Sequence, residues 1–428
     1  MKNKIILQTS ALALTVGATM ASATPTQGVT FKDYGIRTFV SQDLNKSYED
    51  NTIDRDFWKD ATYRGEHIAK FYEDMSSLMM AAGHEALGLD DSMAGRAIYG
   101  FTAGYVAFMV QHFASIYYGH EAAHHSYSDY YGFEGHSFFN AETGMRDSEE
   151  VKRSILTSGD PDAAAYSYDL AGDGYENGYD EDAILHVSNG LNWQMKYSER
   201  WVRENLVLGG KSVFSTPNYL VNRMKTFAYA LGDAQRGDSE AIDGDVNKIA
   251  QHYQDIGQDI EVEDIAVVGA ASMFLSPATW SAWGGMNDYG VSGSLRMQDP
   301  FFETPSGSWT WDLPAYLNEE NMSLAPMLYS RQNEEFIWGL GAEMPILGEG
   351  GVDYNIFASY TADHYSMDAL LSSGDAGGMY AEVGLSLSVT DKLGIRAEYV
   401  TSEGDTYKGK RHNPYSEDFL YIGLQSTF

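Results

Sequence analysis

His120, Glu121 and His124 stand in the order His-Glu-x-x-His within YYGHEAAHH at 117–125. Four residues separate the two histidines, so on a helix both imidazoles lie on one face about one turn apart, close enough to ligate one tetrahedral cation. Glu121 then leans over the open side of that cation, where its carboxylate can take a proton from a metal-bound water. This spacing suits Zn2+-assisted hydrolysis.

A helix must present these residues, and the sequence supplies one. The run AIYGFTAGYVAFMVQHFASIYYG from Ala97 to Gly119 contains no Asp, Glu, Lys or Arg. Gln111, His112, three glycines and several hydroxyl residues dilute its hydrophobicity, so it reads as a buried or interfacial helix that shields the motif from water. A catalytic zinc needs a third protein ligand, and candidates lie in the predicted helix 181–205. Gly190 lets that helix approach the motif closely, and His186 lies one turn before it on the same face, with Trp193 and Tyr197 continuing the stripe. His186 is the preferred third ligand; Glu199, nine residues past Gly190, falls about half a turn round and faces away.

In His120, Glu121 and His124 the chain resembles the zincin class of metallopeptidases, which implies two histidine ligands and a glutamate base. By analogy with the gluzincins, Glu199 is the alternative third ligand. The metzincin continuation is missing, since Ser126 and Tyr127 are followed by Ser128-Asp129-Tyr130. His120, His124 and His125 also resemble one histidine box of membrane di-iron desaturases, but the other histidines are isolated. AAGHEALG at 81–88 repeats the start of the motif with Gly88 where the second ligand would fall, so His84 reads as part of an ordinary helix. The acidic stretch 169–182 reads as a solvated loop in preference to a calcium loop, and Asp245 as a helix N-cap.

The chain as a whole reads as α+β. Residues 1–23, with Lys2, Lys4, an apolar stretch and Ala21-Ser22-Ala23, read as a secretory signal; 24–286 as a mainly helical domain carrying the metal site; and 287–428 as antiparallel strands. Alternation of period two is clearest at 336–346 and recurs at 352–360, 379–389, 393–399 and 420–424. Met322 to Tyr329, Tyr289 to Met297 and Val29 to Val40 are further candidates. Connections between the clear strands alternate short and long, with 362–378 read as a long loop, as in an outer-membrane barrel. The ending Leu420, Ile422, Leu424, Ser426, Phe428 resembles the C-terminal strand of outer-membrane β-barrel proteins, although Ser426 departs from the apolar pattern. That resemblance implies the outer membrane of a Gram-negative bacterium.

The 28 basic and 61 acidic residues give a net charge of −33, which excludes nucleic acid as a partner. The absence of cysteine leaves packing, hydrogen bonds or metal to stabilise an exported chain. The expected function is an outer-membrane zinc-dependent hydrolase of the metallopeptidase type, acting on a peptide or envelope substrate beside outer-membrane lipid. Two alternatives stand: a non-enzymatic barrel or adhesin, and a metal-dependent lipid or cell-wall hydrolase.

Overall fold

The computed structural model describes residues 34, 36–43, 61–120, 123–124, 135–138, 165–168, 180–236, 245–305, 307–333, 335–362, 364–373, 379–390, 393–403 and 419–427. Residues 1–23, expected to be a secretory signal, Phe428, His125 and most of the acidic stretch lie outside them. In chain order the helices are α1 (Ala61–Ala86), α2 (Met93–Ser115), α3 (Asp180–Leu208), α4 (Thr216–Arg236), α5 (Asp245–Asp255), α6 (Val262–Phe274) and α7 (Pro277–Ser292). The strands are β1 (Arg37–Asp43), β2 (Gly135–Phe138), β3 (Ala165–Tyr168), β4 (Phe302–Thr304), β5 (Gly307–Asp312), β6 (Ala315–Leu317), β7 (Asn321–Leu324), β8 (Met327–Arg331), β9 (Phe336–Gly348), β10 (Asp353–Thr361), β11 (Tyr365–Ser373), β12 (Met379–Ser388), β13 (Leu393–Glu403) and β14 (Phe419–Thr427).

Helix ends follow local signals. Ser92 Oγ accepts the Gly95 N–H at 3.0 Å and opens α2. Glu261 and Asp264 form a capping box on α6, and Pro277 sits in the first turn of α7. α7 runs to Ser292, so the strand expected from Tyr289 is helical at its start.

Twelve strands pair antiparallel in one sheet, in the order β1-β14-β13-β12-β11-β10-β9-β8-β5-β4, with β7 joining β6 to β9. The α+β reading holds, but the expected barrel closure does not: among the described residues the sheet is open, with β1 and β4 at its edges. β11 occupies most of the stretch expected to be a long loop, because Ser366, Asp368 and Ser372 mask an alternation carried by Met367, Ala369 and Leu371.

The sheet has inverted polarity. Asp353, Asn355, Glu382, Arg396, Glu398 and Gln425 are buried against the helices, while Ile356 is 51% exposed and Leu387 52%. A half-buried antiparallel sheet ordinarily turns its apolar face inward. Here the polar face is occupied by charged residues of α1 and α3. Arg200 binds Glu66 at 2.8 Å and Glu398 at 3.3 Å; Arg203 binds Glu199 at 3.0 Å and Glu382 at 3.2 Å. Arg396 grips both oxygens of Asp368 at 2.9 Å. Lys211 and Lys70 share Glu204 at 2.9 and 3.0 Å. A cavity of about 40 Å³ lies among these cations, near Arg37 and Gln425. The apolar core lies beside the network and draws on both halves of the chain, joining Trp201, Leu206 and Tyr219 to Tyr329, Phe357 and Tyr421.

Candidate metal centre

α2 ends in a π-helical turn, Ile116–His120, that delivers His120 beneath α3. α3 crosses this turn at contact distance because two glycines leave room. A Cβ on Gly119 would lie 2.2 Å from the Trp193 ring, and one on Gly190 would lie 2.4 Å from His124 Nε2 and 2.7 Å from His120 Cε1. Gly190 is thus the point of close approach, as its place in the sequence suggests. Trp193 stacks on Tyr197 at 5.2 Å and closes the far side.

The third group is Asp245, the first residue of α5. Val246, Ile249 and Tyr253 seat this helix in a core shared with Val187, Leu191 and Met195 of α3. Asp233 Oδ2 accepts the Asn247 N–H at 3.2 Å and fixes the start of α5. His120 Nε2 lies 3.2 Å from His124 Nε2 and 3.5 Å from Asp245 Oδ2, and His124 Nε2 lies 3.9 Å from the same oxygen. Two ligands about 2.0–2.1 Å from a tetrahedral ion are separated by about 3.3 Å. The three donor atoms therefore outline one face of a small tetrahedral site, with both histidines buried and Asp245 partly exposed.

The surroundings fix the histidine tautomer. His120 Nδ1 is 3.1 Å from Gln194 Oε1 and donates to it, leaving the Nε2 lone pair to face the other two donors. When His120 is protonated on Nε2 as well, burial alone would raise the Asp245 carboxyl, but the His120 hydrogen bond and the charges of His124 and His120 outweigh it and hold the group down at about 2; a metal would take the place of that proton. The carboxylate is therefore charged at neutral pH, as a ligand must be. His112 stacks on Phe108 at 5.4 Å. These donors suit a divalent transition ion, and the three distances do not select zinc over its neighbours.

Glu121 lies outside the described residues. His186 lies on α3 with its side chain outside the description, and Asp245 takes the third position in the cluster. Glu199 faces the sheet, where Arg203 and Tyr316 hold its carboxylate. His84 is a buried core histidine, 2.9 Å from Asp90 and 3.3 Å from the Tyr289 hydroxyl. The contribution of Asp245 was hidden in the sequence, because an acid at the start of an amphipathic helix is also what a cap requires.

Gly190 gives a direct test of this packing. Gly190→Ala must push α3 off the histidines, so divalent-metal affinity should fall at least tenfold with some loss of thermal stability. Gly284→Ala, on α7 where a Cβ meets nothing within 4 Å, should leave affinity unchanged.

No family model matches the sequence, and no curated protein and no solved structure matches it either.

Proposed function

We propose that the chain is a metal-dependent hydrolase of the bacterial outer membrane, with His120, His124 and Asp245 as ligands and Glu121 as the general base. The triangle of three donor atoms with near-tetrahedral spacing carries this reading. A divalent ion bound there would polarise the substrate and lower the pKa of water. Around it the chain's own groups have distinct tasks: Gln194 orients the His120 ring, α3 excludes water, and Glu121, between the two histidines in sequence, accepts a proton. Zn2+ is the ion the His-Glu-x-x-His order favours, and a peptide or other envelope amide or ester the substrate class.

The inverted sheet supports the membrane placement. A lipid-embedded antiparallel sheet turns its apolar face to hydrocarbon and its polar face inward, which is the distribution of Ile356, Leu385, Ile395 and Leu424 against Asn355, Glu382, Arg396 and Gln425. A non-enzymatic membrane protein is the competing reading. Glu121→Gln separates the two: it preserves size and hydrogen bonding but cannot act as a base, so it should keep metal while hydrolysis of a casein or ester substrate falls by about 10² or more. Hydrolysis at the parent rate by Glu121→Gln would remove the catalytic role.

A further inference from the structure

A series of helices, each tied to the next, links β1 to β5. Lys70 Nζ of α1 donates to Arg37 O of β1 at 2.9 Å, and His67 packs edge-on against Phe39 and Tyr421. α2 binds α1 through Tyr99 OH to Met80 O at 2.9 Å and Gln111 Nε2 to Ser76 Oγ at 2.8 Å. Arg96 of α2 donates to Gly290 O and Val291 O of α7 at 3.2 and 2.6 Å. Trp311 of β5 returns to Leu275 O, just before α7, at 2.8 Å.

α2 divides into two faces. Arg96, Ala107, Gln111, Ala114 and Ser115 are buried, whereas Ile98, Phe101, Tyr105, Val106 and Val110 form an exposed stripe at helical spacing, with Phe101 85% exposed. An unpartnered stripe of this kind beside other exposed apolar surface marks an interaction site. Trp280, Trp283 and Val291 of α7 are exposed as well, as are the outward apolar residues of the sheet.

We propose that α2 is part of the membrane wall, and that bilayer hydrocarbon occupies its outer stripe. The proposal rests on the outer-membrane reading. Hydrocarbon cannot satisfy an open strand edge, so a sheet left open in lipid must be continued by elements whose backbone bonds are internal, as those of a helix are. The 23 residues of α2 extend about 35 Å, enough for a hydrocarbon core of about 30 Å. No charged residue lies between Ala97 and Gly119. The exposed Thr102 hydroxyl turns back to Ile98 O at 2.7 Å, which removes its need for water. Among the described residues no single helix is long and apolar enough to cross a membrane; α6 and α7, bent by 59° at their junction, meet that standard together. α2 falls short because its inner face carries Gln111, Ser115 and Arg96, whose Nε2, hydroxyl and guanidinium bond to protein partners. A second copy of this chain would explain a bounded patch. Hydrocarbon accounts for the α2 stripe together with the exposed apolar residues of α7 and of the sheet's outer face.

The cysteine-free chain permits a clean test with single spin labels at Phe101→Cys and Val106→Cys on α2, Ile356→Cys on β10 and Gln254→Cys on exposed α5. In phosphatidylcholine vesicles the first three should show several-fold higher oxygen relative to nickel-chelate accessibility than Gln254→Cys. If Ile356→Cys is lipid-exposed while both α2 labels meet the nickel chelate, the proposal is wrong and the membrane reading survives. Dipolar broadening of the α2 labels that disappears on dilution with unlabelled protein would place a second copy on the stripe and also overturn it. Nickel access at Ile356→Cys would defeat both.

Discussion

Asp245→Ala should lower divalent-metal affinity by more than about a hundredfold, since even outer-shell partners of a metal site are worth 10–100-fold. His120→Ala and His124→Ala should do the same, because each removes one donor of the same triangle. Glu199→Gln should bind metal within a few-fold of the parent, as that carboxylate is engaged by Arg203 and Tyr316 on the far side of α3. Competition against a chromophoric chelator measures all four. A large loss in Glu199→Gln with none in Asp245→Ala would restore the gluzincin arrangement and dismiss α5 from the site.

The second large effect is expected at Glu398, which joins Arg200, His67 and Arg396 where helices meet sheet. Removing one partner of a buried ion pair strands the others without water, and Glu398→Ala should destabilise the fold by about 3–5 kcal/mol. Urea unfolding at pH 7 tests this; a deficit under about 1 kcal/mol would mean that solvent already screens the network.

The sequence carried the alternation of β9, β10, β12, β13 and β14, and β1 overlaps the end of Val29 to Val40 and extends past it to Asp43. It could not carry which face points inward. Period-two alternation reports two unlike faces, and only the charges of α1 and α3 decide that Glu382, Arg396 and Glu398 turn toward protein. β11 escaped because its inward Ser366 and Asp368 resemble loop residues when an apolar core is assumed. Open edges were equally hidden, since pairing of β1 with β14 brings the chain ends together without bringing β4 to β1. At the site, the pairing of His120 with His124 and the close approach at Gly190 followed from spacing and residue size. Asp245 did not, because its role depends on how α5 docks against α3, a contact between residues distant in the chain.

Elemental analysis of the full chain, purified without chelators and equilibrated with Zn2+, tests the metal centre most directly. The parent should retain close to one equivalent of a divalent transition metal through gel filtration, and Asp245→Ala and His120→Ala should retain almost none. Metal-free parent protein, or equal metal in the parent and both variants, would contradict a centre built from His120, His124 and Asp245.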